Sequence, residues 1–186
     1  MSSRPPATRE RIVEFLHALG DRFNKPGRIY LVGGTTIVME GLRKQSVDVD
    51  LTYQIDDNDH DTFLKTIREL KDQLNINIEE ASPGDFIPLP SGSSDRAIYV
   101  GRFGQLDVYH FDLYSTVLSK IARGSEEDFS DAMGLVRMKR IELSVLEKYF
   151  DEIRPRLAGA SLKQDPIEFE KKMEHFRRML REMNLS

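Results

Sequence analysis

The chain has 186 residues, of which 39% are hydrophobic and 31% charged, and its net charge is −4. This composition supports one folded domain, with or without a helical appendage. No apolar run approaches the length of a membrane span, so we predict a soluble, cytoplasmic protein with no membrane partner. The absence of cysteine excludes disulfides and thiolate metal sites, the negative charge argues against broad nonspecific nucleic-acid binding, and residues 1–6 lack the apolar core of a signal peptide.

The hydrophobic pattern predicts helices and short strands in a mixed order. Residues 1–7 are expected to be a disordered arm, and apolar residues at helical spacing predict a first helix over 9–23. A short apolar run predicts a buried strand over 29–32. The later patterns predict strands over 47–51, 76–78, 97–103 and 105–111, a long loop over 81–94, and helices over 59–74, 112–123, 125–139, 144–150 and 166–183.

The residues that carry chemistry follow the first buried strand. Gly33 and Gly34 break the strand, and with Thr35 they open a short helix whose backbone N–H groups and hydroxyl would suit phosphates. In the next strand, Asp48 and Asp50 point to one face while residues 47, 49 and 51 point toward a core. Two adjacent carboxylates repel each other. A divalent cation, Mg²⁺ or Mn²⁺, would offset this repulsion and bind substrate phosphates.

A metal site for phosphoryl transfer usually needs a third carboxylate on a neighbouring strand. Asp107 is the favoured candidate, since it lies in the second strand of the predicted hairpin and shares a face with Gln105 and Tyr109. Asp112 is the alternative, although it also suits the N-terminal cap of the following helix.

These residues resemble a known signature. Val32-Gly33-Gly34, thirteen further residues and then Asp48-Val49-Asp50-Leu51 are similar to the motif of the nucleotidyltransferase fold of the DNA polymerase β superfamily. The resemblance implies that Asp48, Asp50 and Asp107 bind metal, and that Gly33, Gly34 and Thr35 bind the nucleotide.

A second resemblance covers residues 112–132. This segment is similar to a conserved region of toxin-like and abortive-infection nucleotidyltransferases, in which a helical Lys precedes a Gly-containing turn and an Asp-x-x-Asp helix start. The resemblance implies that Lys120 binds the triphosphate, that Asp128 is a functional acid and that Asp131 is its companion, with Arg123 one turn from Lys120. We expect Lys120 to lie on an exposed flank of its helix, so that its replacement leaves stability nearly unchanged. An ordinary amphipathic helix is the alternative.

Together, these patterns predict an α/β (α+β) protein. A small mixed sheet of the nucleotidyltransferase fold, flanked by helices, would occupy residues 1–140, and a helical extension would occupy 141–186. The expected reaction transfers a nucleoside monophosphate from an NTP to a hydroxyl of tRNA, of a protein or of a small molecule. The alternatives are a catalytically inactive binding partner in a toxin-antitoxin-like system and a toxin paired with an antitoxin. Convergence of three carboxylates would favour the enzyme.

Overall fold

The computed structural model describes residues 4–159 and 165–185. The strands within these ranges are β1 (Ala7–Thr8), β2 (Gly27–Leu31), β3 (Gln45–Ser46), β4 (Val49–Ile55), β5 (Ile78–Glu80), β6 (Ile98–Phe103) and β7 (Leu106–His110). The α-helices within them are α1 (Arg9–Arg22), α2 (Gly33–Met39), α3 (His60–Gln73), α4 (Leu113–Arg123), α5 (Glu126–Arg137), α6 (Leu143–Ile153) and α7 (Pro166–Glu182). The predicted α/β class is therefore confirmed.

The residues separate into two compact units. The first contains the described residues up to Ala81 together with Ala97–Phe111, and the second contains Ser82–Arg96 and the described residues from Asp112 onward. The predicted division at residue 140 stays a prediction. None of the described helices combines the length and the apolar character that crossing a bilayer requires.

The first unit is built on a five-stranded mixed sheet with the order β5-β4-β2-β7-β6. Strand β2 lies at its centre, antiparallel to β4 and parallel to β7. Side chains alternate across the pleat, so Ile29 and Leu31 enter a core that also receives Phe15 from α1 and Phe63 from α3. Because of this alternation, the opposite face of β4 and β2 carries polar side chains and Tyr30.

The predicted disordered arm is wrong for its described part. Ala7 is fully buried, and β1 pairs antiparallel with β3, with Ala7 opposite Ser46. Arg4 donates hydrogen bonds to the Asp72 carboxylate and the Ile76 carbonyl. Residues 1–3 lie outside the described part of the chain.

The second unit is helical and packs around α4. Every residue of α4 from Ser115 to Ala122 is buried, which differs from the amphipathic helix that the pattern predicts. Helices α5, α6 and α7 all contact α4, so solvent reaches this helix only near its ends, at Tyr114 and Arg123. Aromatic side chains fill the space between the helices, including Phe150 in edge contact with Phe169 and Phe129 stacked on Phe176.

Candidate metal and nucleotide site

The Gly-Gly turn is positioned by the end of the central strand. Strand β2 ends at Leu31, and α2 begins two residues later at Gly33. Gly33 has a φ of 53°, and a Cβ atom at this position would lie 2.8 Å from Oδ2 of Asp50. Glycine is thus required both by the backbone conformation and by the close approach of a carboxylate.

Asp48 and Asp50 lie directly beside this turn. Asp50 is in β4, and its carbonyl accepts a hydrogen bond from the Val32 N–H at 3.1 Å, which continues the pairing of β4 with β2. Its Oδ2 accepts from the Gly34 N–H at 3.2 Å. Val49 and Leu51 are buried as predicted, whereas Val47 is 72% exposed. The prediction for Val47 is wrong because the chain bends between β3 and β4, and regular alternation begins only at Val49.

Glu79 supplies a third carboxylate to the pair. Strand β5 runs parallel to β4, with Glu79 opposite Asp50. One ligand oxygen from each of Asp48, Asp50 and Glu79 lies within 4.8 Å of the other two. Sequence reasoning missed Glu79 because the predicted strand ended at Ile78. Continuing the alternation by one residue places Glu79 on the face opposite Ile78.

The neighbouring Glu80 points the other way. Tyr53 donates a hydrogen bond to Glu80 Oε2 at 3.3 Å, and the Tyr53 hydroxyl lies 3.2 Å from Nε2 of His60. The pKa of Tyr53 is raised from its ordinary value, mainly by burial and then by the charge and hydrogen bond of Glu80. Consecutive acidic residues on β5 therefore face different partners, and only Glu79 joins the carboxylate group.

This carboxylate group fits a divalent cation. Two negative charges no more than 4.8 Å apart repel by at least about 1 kcal/mol at an effective dielectric constant of about 80, and by at least about 3 kcal/mol at about 20. Two ligands on opposite sides of one Mg²⁺ lie about 4 Å apart, which small side-chain movements would reach here. The ligand atoms are all carboxylate oxygens, the type that Mg²⁺ and Mn²⁺ prefer. Asp48 and Asp50 are half-buried and Glu79 is exposed, which leaves the group open to substrate.

Asp107 is not brought to this group. In the register of the sheet, Asp107 lies opposite Arg28, and Leu31 marks the end of β2 nearest Asp50. Asp50 is hydrogen-bonded to Val32, which lies four residues beyond Arg28, and four residues correspond to about 13 Å along the strands. Asp107 instead lies 3.6 Å from Nη1 of Arg102 and lines a polar groove with Arg28 and Gln54. The prediction that Asp107 shares a face of β7 with Gln105 and Tyr109 is correct. The residues of the other face, Leu106, Val108 and His110, are buried.

Asp112, the alternative third carboxylate, belongs to the second unit and caps α4. Its carboxylate accepts from the backbone N–H groups of Tyr114 and Ser115, each at 3.2 Å. It also accepts two hydrogen bonds from the Arg96 guanidinium, at 2.9 and 3.0 Å, and this hydrogen bond is the main cause of a raised pKa at Arg96. These contacts match the predicted capping role.

Lys120, Asp128 and Asp131 form a buried ion cluster in the second unit. The Lys120 Nζ lies 2.8 Å from Oδ2 of Asp131 and 3.3 Å from Oδ1 of Asp128. Arg123 reaches the other oxygen of Asp128 at 3.4 Å, and Ser125 donates a hydrogen bond to it at 2.8 Å. The expectation that Lys120 is exposed is wrong, because its side chain is 2% exposed. The structure thus brings these three residues together, with the lysine bound to the two carboxylates.

A Gly-Gly turn beside three converging carboxylates, two of which lie on the adjacent strands β4 and β5, is the arrangement expected of a nucleotidyltransferase. The chain belongs to the family described as "Nucleotidyltransferase of unknown function (DUF6036)", whose model matches residues 10–181. No curated protein and no solved structure matches the chain. The nucleotidyltransferase class predicted from the sequence is therefore confirmed, while membership of the DNA polymerase β superfamily and similarity to toxin-like enzymes stay predictions.

Proposed function

We propose that this protein is a metal-dependent enzyme that transfers a nucleoside monophosphate from an NTP to an acceptor hydroxyl. The observation that carries this proposal is the convergence of Asp48, Asp50 and Glu79 beside the Gly-Gly turn. Convergence of three carboxylates is the feature that favours an enzyme over an inactive binding partner. Family membership supports the same conclusion.

In the proposed reaction, the acceptor oxygen forms a bond to the α-phosphorus of the NTP while the bond to the β-phosphate bridging oxygen breaks. Pyrophosphate leaves, and the proton of the acceptor hydroxyl passes to water. Asp48, Asp50 and Glu79 would hold Mg²⁺ or Mn²⁺, which supplies charge neutralisation to the phosphates. The backbone at Gly33, Gly34 and Thr35 is the proposed nucleotide-binding segment, because strand-to-helix turns of this kind direct N–H groups toward phosphates.

Glu79 replaces Asp107 in the proposed metal set, because Asp107 lies at the other end of the strands. The roles implied for Lys120 and Asp128 at the triphosphate stay predictions, as does an antitoxin partner. The acceptor, which could be tRNA, a protein or a small molecule, also stays a prediction.

Calorimetry with Mg²⁺ and a non-hydrolysable NTP tests the proposal. We expect the wild type and Asp107→Asn to bind alike, and Asp48→Asn and Glu79→Gln to lose affinity by at least about tenfold, because each removes a charged ligand. Transfer from α-labelled NTP should follow the same order. Equal binding by the wild type and Asp48→Asn would contradict the metal site.

A further inference from the structure

The hydroxyl of Thr35 faces the backbone of the strand that carries the two aspartates. Its Oγ1 accepts a hydrogen bond from the Asp50 N–H at 2.7 Å and lies 3.5 Å from the Asp48 carbonyl oxygen, to which it donates. Thr35 is fully buried. The same hydroxyl therefore contacts the peptide groups of both carboxylate residues.

The register of the sheet explains why such a contact is needed. The Asp50 carbonyl is bound by the Val32 N–H, but β2 ends at Leu31 and the chain turns away into α2. Val32 is the antiparallel partner of Asp50, one residue beyond the Leu31–Leu51 pair. Its carbonyl accepts a hydrogen bond from the Thr36 N–H at 3.3 Å where α2 begins, and the Thr35 hydroxyl accepts from the Asp50 N–H in its place. Asp48 precedes β4 in the bend after β3, so the ladder itself does not fix its carbonyl.

A threonine hydroxyl has a single proton to donate. A lone pair of the Thr35 hydroxyl receives the Asp50 N–H in a short hydrogen bond of 2.7 Å, and the nearest acceptor for its proton is the Asp48 carbonyl, in a long contact of 3.5 Å. A phosphate oxygen accepts hydrogen bonds and cannot use that lone pair. Binding phosphate through this hydroxyl would therefore require breaking the contact to Asp48 and exposing a buried side chain.

We propose that Thr35 is a positioning residue whose hydroxyl fixes Asp48 and Asp50 in their metal-binding arrangement and does not bind the nucleotide phosphates. This inference rests on the proposed function. Groups that orient metal ligands affect metal affinity by about 10- to 100-fold. This role predicts that loss of the hydroxyl lowers the affinity for the metal even when no nucleotide is present.

The experiment compares Thr35→Val, Thr35→Ser and Thr36→Val with the wild type. Valine keeps the shape of threonine without the hydroxyl, and serine restores it. Thr36 is the matched control, because it is also fully buried on α2 but its hydroxyl donates to the Leu31 carbonyl at 2.9 Å. Two readouts are used: Mn²⁺ affinity without nucleotide, by electron paramagnetic resonance, and hydrogen exchange of the Asp50 amide, by NMR.

We expect Thr35→Val to weaken Mn²⁺ binding by about tenfold or more and to accelerate exchange of the Asp50 amide. Thr35→Ser and Thr36→Val should stay within about threefold of the wild type in Mn²⁺ affinity, well below that loss. Unchanged Mn²⁺ affinity and unchanged exchange in Thr35→Val would overturn the proposal. So would a loss of affinity seen only when NTP is present, which would make Thr35 a phosphate ligand.

Failure of the proposed function gives a different result. If the wild type binds no Mn²⁺, the metal site is wrong and the metal-positioning role is wrong with it. Exchange of the Asp50 amide then decides only whether the Thr35 hydroxyl holds the Asp50 backbone. Acceleration in Thr35→Val with no acceleration in Thr36→Val would support that contact, and equal rates in all four proteins would refute it.

Discussion

Replacing Lys120 by methionine tests the buried ion cluster of the second unit. Methionine retains most of the aliphatic side chain but removes the ammonium group that lies 2.8 Å from Asp131 and 3.3 Å from Asp128. Removing one partner of a buried ion pair costs about 3 to 5 kcal/mol, because the remaining charge stays desolvated. Arg123 still contacts Asp128 in the variant, so we expect a loss near the lower limit, about 3 kcal/mol.

A loss of about 3 kcal/mol in the free energy of unfolding corresponds to a fall in Tm of roughly 6 to 12 °C for a chain of this size. Thermal and urea denaturation followed by circular dichroism would measure it. Lys171→Met is the matched control, because Lys171 also forms an ion pair at 2.8 Å, with Glu168, but is 67% exposed. Solvent screens an exposed pair, so that it contributes little to stability, and this control should change Tm by less than about 4 °C.

The double variant Lys120→Met with Asp131→Asn should recover part of the loss, because it removes one of the carboxylates that the ammonium group balances. An unchanged Tm in Lys120→Met would refute the structural role. If NTP affinity then fell by about 1 to 3 kcal/mol, the result would favour the triphosphate-binding role that the family resemblance implies.

Three other predictions follow from the first unit. Gly33→Ala should weaken Mn²⁺ binding, because the new Cβ would lie 2.8 Å from Asp50 Oδ2. The control Gly41→Ala, at a position with a φ of 80° and no neighbouring atom within 4 Å, should lower stability only. Equal Mn²⁺ affinities in the two variants would contradict this prediction. Gly34→Val should lower stability as well as nucleotide binding, since a Cβ would meet Ser46 Oγ; a Tm equal to that of the wild type would be inconsistent with it. The raised pKa of Tyr53 means that its neutral form contributes stability below the unfolded pKa of about 10, and that this contribution is lost as pH rises through the folded pKa. Absorbance at 295 nm, compared between wild type and Tyr53→Phe, should show this late titration, and a Tyr53 midpoint at or below pH 10 would exclude the shift.

The sequence by itself determined the local elements and the first half of the site. The Gly-Gly break after an apolar run places a turn at Gly33, and the alternation from Val49 onward places Asp50 opposite the core. Both signals are local, because backbone sterics and the two-residue period of a strand act over a few residues. Asp112 as a cap of α4 was predicted by the same kind of local rule.

Tertiary structure decided which distant residues meet. Glu79 joins Asp50 because β5 pairs in parallel with β4, and Asp107 is excluded because its strand register places it opposite Arg28. Strand order and register depend on contacts between segments far apart in sequence, and no local pattern specifies them. Burial of Lys120 has the same origin: the polar flank of α4 is covered by α5, so its charge is neutralised by carboxylates from a neighbouring helix and not by water.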